Sequence, residues 1–250
     1  MTLASGHPDI RHRDEIASEI TKIISHPATV LILAITLVVN LALAVIDASG
    51  LLFYTGDAVV SSRLSSFGMV MLAPLYAFLV IPVWAAATEH HGGQLRMSLV
   101  ATPRRGAFAF AKFIATVVVC VAAALIAIVP ARLVIGISVG LSPSDLALNC
   151  AQWVAVYLLM SLIAFGLAGI LKGTIAPLAI MIALPIVVAT GILQWPDGIR
   201  FLPDQASLSL VGTPGYDVTE LPPGIAVLVL LAWAFLSVVV YTVTLIRRDA

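Results

Sequence analysis

Six long apolar runs constrain this chain more than any other feature. They cover residues 28–46, 67–87, 107–130, 146–171, 175–195 and 224–246. A helix rises about 1.5 Å per residue and the hydrocarbon core of a bilayer is about 30 Å thick, so roughly 20 apolar residues make one span. Strands of a membrane barrel would be runs of about 10 residues with strict alternation. These runs are longer and uniformly apolar, and lipid offers the backbone no hydrogen-bonding partner, so the helix is the form they take. Composition agrees. Of 250 residues, 61% are hydrophobic and 10% charged, against roughly 45–50% and about 25% in soluble domains. Too few charges are present to cover a water-facing surface, which excludes a soluble enzyme, a disordered chain and a nucleic-acid binder. The expected fold is all-α: a single polytopic transmembrane domain over residues 1–250, with six transmembrane helices. The first run follows 27 polar and mixed residues and is read as retained, not as a cleaved leader.

The charges set an orientation. Loops richer in Lys and Arg stay in the cytoplasm. With the N-terminus inside, ten of the thirteen basic residues fall inside and only Arg63, Arg132 and Arg200 outside. Seven acidic residues lie outside: Asp47, Asp57, Asp145, Asp197, Asp204, Asp217 and Glu220. An even number of spans puts both termini in the cytoplasm, which predicts a multi-pass protein of the plasma (inner) membrane. Cys120 and Cys150 sit at depths differing by roughly 9 Å, too far apart for a disulfide, so both are expected as free thiols.

Two segments are not simple spans. Over residues 13–26, Ile16, Ile20, Ile23 and Ile24 recur on one helical face, with Glu15, Glu19 and Lys22 away from it. Pro27 then suits the start of a new helix. This predicts an amphipathic helix lying along the membrane surface, and a generic interfacial anchor fits the same pattern. Residues 88–106 connect the second and third spans. There Gly92 and Gly93 break a helix, Gln94–Val100 can form two turns with Leu95 and Leu99 on one face, and Pro103 stops them. Arg104, Arg105 and Lys112 would anchor the next span at an anionic leaflet. A plain basic loop obeying the charge rule is the alternative.

The residues Glu89, Gly93, Leu95, Leu99, Pro103, Arg104 and Arg105, with Lys112 shortly after, form a pattern E-x-x-x-G-x-L-x-x-x-L-x-x-x-P-R-R. This loop resembles the cytoplasmic loop of ABC-2 type permeases, the membrane subunits of ATP-driven exporters. The amphipathic helix is similar to that family's elbow helix, six spans with both ends inside match its permease, and Phe201-Leu-Pro-Asp-Gln-Ala206 is loosely similar to its last extracellular loop. His90-His91 stands where aromatic and basic residues are commoner in the family. The resemblance implies a paired permease, homodimer or heterodimer. It also implies an ATPase-coupling helix built on Glu89, Gly93, Gln94, Leu95, Leu99, Pro103, Arg104 and Arg105, and two copies of an ABC ATPase subunit carrying ATP and Mg. The chain has no G-x-x-x-x-G-K-[ST] phosphate loop, because Gly169–Thr174 has the wrong spacing, so the ATPase is expected as a separate polypeptide.

Chemistry-bearing residues are otherwise sparse. Glu89-His90-His91 lacks metal-ligand spacing, and neither a cofactor nor a metal is expected in this chain. No span pairs acids or sets Ser beside His, so no enzymatic activity is expected of the chain itself. Intramembrane polar residues are Asn40, Asn149 and Gln152, with hydroxyls such as Ser161 and Thr190. They are candidates either for a pathway or for interhelical hydrogen bonds. Gly169 and Gly173 form a G-x-x-x-G that permits close helix approach. Residues 196–223 read equally as a solvated external loop or as a short helix dipping back toward the membrane. The reading is a permease moving an amphiphilic substrate outward: a drug, a peptide antibiotic, a lipid or a glycan. The alternatives are a scaffolding membrane subunit without transport and an intramembrane enzyme.

Overall fold

The computed structural model describes residues 12–54, 61–88, 105–193, 195–213 and 219–247. The described chain is almost wholly helical. The order is α1 (His12–Ser25), α2 (Pro27–Ala48), strands β1 (Leu52–Tyr54) and β2 (Ser61–Arg63), α3 (Gly68–Phe78), α4 (Val80–Ala87), α5 (Arg105–Val139), α6 (Pro143–Leu171), α7 (Ile175–Ala189), α8 (Pro196–Ile199), α9 (Pro203–Val211) and α10 (Pro223–Arg247). The strands pair antiparallel with Leu52 opposite Arg63. Among the described residues, five helices are long and apolar enough to cross a membrane: α2, α3 with α4, α5, α6 and α10.

Local signals place the helix ends. Pro27 opens α2, as expected, and the His26 Nδ1 accepts the Ala28 N–H at 3.2 Å as its cap. Ser142 caps α6 by accepting the Asp145 N–H at 3.2 Å, with Pro143 in the first turn, where its missing N–H costs nothing. α3 and α4 are one path interrupted at Leu79. Pro82 lacks the N–H that would reach the Phe78 carbonyl, so the ladder breaks there.

Two expected boundaries move, and one open reading is settled. The third span does not end at Pro130: α5 runs on to Val139 with Pro130 inside it. Proline forfeits one backbone hydrogen bond, whereas a loop begun there would strip several groups of partners in an apolar setting. Arg132, expected in an external loop, is therefore a buried helical residue. The fifth run shrinks. α7 has fifteen residues, about 22 Å of helix, and ends at Ala189 rather than Trp195. Third, residues 196–223 hold a helix. All nine residues of α9 are buried, packed on α3, α6, α7 and α10. Gly212, in the left-handed region at φ 68°, ends α9.

The core lies on α6. Its residues Trp153, Tyr157, Phe165 and Ala168 are fully buried, with α10, α5, α4 and α9 packed against it. Close approach of α10 comes through Gly166 and Gly169. A Cβ on Gly166 would stand 2.5 Å from the Ser237 backbone, and one on Gly169 would strike the Tyr241 ring. Gly173, the expected second glycine of the pair, lies past the end of α6 with nothing nearer than 3.8 Å. The close pair is thus spaced by three residues, matching one helical face. Outward surfaces of α2, α5, α7 and α10 expose large apolar side chains such as Val38, Leu125, Ile186 and Phe235.

Candidate functional site

Buried charge gathers at two ends of the bundle. At the end where α1 lies, Glu19 is buried at 4% exposure. Its carboxylate accepts from the Lys112 Nζ of α5 at 3.3 Å and from Lys22 one turn on. Lys112 is itself buried and sits 5.4 Å from the centre of the Phe108 ring. Burial pushes the Glu19 carboxyl up, but the two lysine charges and their hydrogen bonds outweigh it and hold the carboxyl below its usual range.

This corrects two expectations. Glu19 is not on the outer face of the amphipathic helix: the inward stripe is Ile16, Glu19, Ile20 and Ile23, while Ile24 is 52% exposed. Lys112 is not an outward-facing anchor; it is a buried partner of the helix expected to lie along the surface. Glu19 joins the apolar stripe because a cation 93 residues away meets it there. Helical periodicity carries no information about such a partner.

The second cluster lies toward the hairpin end of α2, α5 and α6. The Asn40 Nδ2 of α2 donates to the Tyr157 hydroxyl of α6 at 3.1 Å, and Phe78 meets Tyr157 edge-on at 5.1 Å. Asp47, fully buried at the end of α2, accepts the Ser65 N–H at 2.6 Å with Oδ1 and so fixes the turn between β2 and α3. The Arg132 guanidinium stacks over the Trp153 ring, 4.0 Å from its centre, and its Nη2 donates to the Met71 sulfur at 3.7 Å. Three polar atoms in this group are buried without a hydrogen-bond partner among the described residues: Arg132 Nε, Trp153 Nε1 and Asp47 Oδ2. Asp47 lies within electrostatic range of Arg132, but no carboxylate forms an ion pair with Arg132 among the described residues.

The remaining expected residues fall as follows. Glu89, Gly93, Gln94, Leu95, Leu99, Pro103 and Arg104 lie outside the described residues, and Arg105 opens α5. Asn149 and Gln152 are half-buried on α6, Asn149 about one turn before Arg132's partner Trp153 and Gln152 next to it in the chain. Thr190 is exposed and bonds its own helix at Val187. Cys120 and Cys150 are both free. Among the described residues no three His, Cys, Asp or Glu side chains come together as a metal site would need. The sequence reading passed over Arg132 and Asp47 because both were assigned to external loops. A signal was present: Leu133, Val134, Ile135 and Ile137 continue the apolar pattern past Pro130.

Chemically, the second cluster offers hydrogen-bond donors on a cation beside a carboxylate, in an apolar shell. It presents no nucleophile matched to a base. Neither a protein-family model nor a curated protein sequence matches this chain.

Proposed function

We propose that this chain is the transmembrane permease subunit of an ATP-driven exporter of the ABC-2 type, moving an amphiphilic substrate outward across the plasma membrane. In this reading it crosses the membrane six times, with α7 and the segment after it as an incomplete fifth crossing, and both termini are cytoplasmic. Residues 88–106 form the coupling loop. It works as a pair of permease chains with two copies of a separate ATPase, which holds ATP and Mg.

The observation that supports this best is the joint between α1 and α5. The loop that resembles the family's coupling element runs directly into α5, and the buried Glu19–Lys112 pair fastens α1 to the foot of that same helix. An ATPase pushing on the loop would move α5 and α1 as one piece. A scaffolding subunit has no need of an ATPase-docking helix in the loop before α5.

The test is mutation of the loop. In the complex purified with its ATPase and reconstituted in proteoliposomes, Glu89→Ala and Leu95→Asp should lower transport far more than membrane expression. Basal ATP hydrolysis should persist and lose its response to substrate. Removing one partner of a desolvated charged contact costs about 2–5 kcal/mol, whereas a solvated loop residue costs under about 0.5 kcal/mol. Full substrate-stimulated transport in both variants would leave residues 88–106 as an ordinary loop and remove the coupling on which this reading rests.

A further inference from the structure

A guanidinium taken out of water needs compensation. The idealised cost of burying an ion is large, and even after relaxation it amounts to several kcal/mol. Arg132 is 6% exposed, yet its close contacts are an aromatic face and a thioether. A thioether is a weak acceptor. Among the described residues, Arg132 Nε and the indole N–H of Trp153 are two donors without acceptors, held together by the stacking of the one side chain on the other. On the same side of the bundle, Asp47 offers an acceptor without a donor, because Oδ1 is taken by Ser65 while Oδ2 is bare.

These unmet groups are complementary in kind to one ligand chemistry. Arginine presents its N–H groups in a planar fork that matches phosphate and carboxylate oxygens. A bare carboxylate oxygen matches an ammonium N–H. Ionisable groups inside membrane helices are expensive and mark functional sites. Arg132 lies seven residues from the end of α5, roughly 10 Å along the helix, a depth that a lipid-like headgroup drawn inward would reach. α2, which carries Asp47 and Asn40, is the least buried of the five long helices, and in the membrane-embedded reading its exposed side would border lipid, with the cluster behind it.

We infer that Arg132, Trp153 and Asp47 form a binding site for a zwitterionic headgroup, an oxyanion joined to a primary ammonium, on an amphiphile entering from the bilayer. The oxyanion sits on Arg132 Nε and the Trp153 N–H; the ammonium sits on Asp47 Oδ2. This names a substrate class within the exporter reading. It depends only on membrane embedding, not on coupling to an ATPase.

Native mass spectrometry of the full chain in an uncharged maltoside detergent reads the site directly. Dilauroyl phosphatidylethanolamine should bind one molecule per chain more tightly than the phosphatidylcholine of the same tails, whose quaternary ammonium has no N–H to give Asp47. Arg132→Met should weaken binding of both by about tenfold or more, while Lys172→Gln, which removes an exposed cation, should not. Asp47→Asn should abolish the preference for ethanolamine over choline. Trp153→Phe, which keeps the ring and loses the N–H, serves if Arg132→Met fails to fold and should weaken binding in the same direction. Free phosphoethanolamine in competition distinguishes sources: displacement at equal concentration assigns the site to a soluble zwitterion, and no displacement assigns it to a lipid. Equal binding by wild type, Arg132→Met and Trp153→Phe would overturn the site. Because no nucleotide or transport is measured, that failure would leave the exporter reading untouched, and failed coupling would leave this result untouched.

Discussion

The two buried cations of this bundle are treated in opposite ways. Lys112 has a carboxylate at 3.3 Å, itself shared with Lys22. Arg132 has an indole face and a sulfur. Both are at least nine-tenths buried and both sit on α5, one near each end. The first is a finished interaction: every charge has a partner, and the pair ties two helices together. The second is unfinished, with donors and an acceptor left over. A protein that needed only stability would do as well or better with well-packed apolar residues in place of the whole Glu19–Lys112 pair, or in place of Arg132. The compensated pair is what a mechanical joint requires, and the uncompensated group is what a ligand requires.

The comparison breaks most visibly at the joint. Lys112→Met leaves Glu19 buried with only the half-exposed Lys22. Removing one partner of a buried pair costs about 3–5 kcal/mol, and the surviving lysine puts the expected loss near the lower end. Hydrogen exchange should show α1 losing protection while α6 keeps it. The double variant Glu19→Leu with Lys112→Met should recover most of the loss. The same joint has a pH signature. The folded Glu19 carboxyl lies below its usual range, so its contribution is fully present above the ordinary glutamate value and is lost as pH falls through the lowered one. In wild type α1 should therefore loosen at acid pH, and in the double variant this dependence should vanish. An α1 equally protected in Lys112→Met would show that the pair fastens nothing.

A smaller effect is expected where α6 meets α10. Gly166→Ala drives a methyl into the Ser237 backbone, which cannot rotate away. Overpacking of this kind costs about 1–3 kcal/mol. Gly169→Ala meets the buried Tyr241 ring, itself edge-on to Phe165, and should cost a similar amount. Gly173→Ala meets open space and should change the melting temperature hardly at all. A Gly173→Ala loss equal to that of Gly166→Ala would restore the spacing expected from sequence and contradict the observed contact.

What was legible in the sequence follows from what each signal encodes. Apolar run length reports burial in an apolar medium, so α2, α3 with α4, α6 and α10 emerge within a few residues of their expected bounds, and Pro27 opens α2 as expected. Run length does not report where a proline is tolerated: Pro130 looks like Pro27 on paper, and the cost of baring backbone groups in an apolar setting keeps α5 going past it. Nor can it separate one 21-residue span from a 15-residue helix followed by a turn, which is why α7 fell short of its expected end at Trp195. Buried polar pairs are the least legible. Glu19 with Lys112, Asn40 with Tyr157, and Arg132 with Trp153 each join residues far apart in the chain, and no local pattern records them. Periodicity even misled, since Glu19 was placed outward for being charged.

The finest test of the comparison asks what each cation costs when nothing is bound. At the joint, loss of the cation destabilises. At Arg132 the balance is different. Arg132→Met forfeits the stacking on Trp153, worth about 0.5–2 kcal/mol, but it also removes a desolvated cation whose hydrogen bonds are not made, which recovers a similar amount. In maltoside without lipid the melting temperature should therefore stay level or rise slightly, in contrast to the fall in Lys112→Met. Phosphatidylethanolamine should then separate the two proteins. A ligand that binds only the folded state at a hundred times its dissociation constant stabilises by about 2.7 kcal/mol. Wild type should gain that increment and Arg132→Met should not, so the order of the two melting temperatures reverses when lipid is added. If Arg132→Met instead melts several degrees below wild type without lipid and the gap stays constant with it, Arg132 is a structural cation like Lys112, and the contrast between the two ends of α5 disappears.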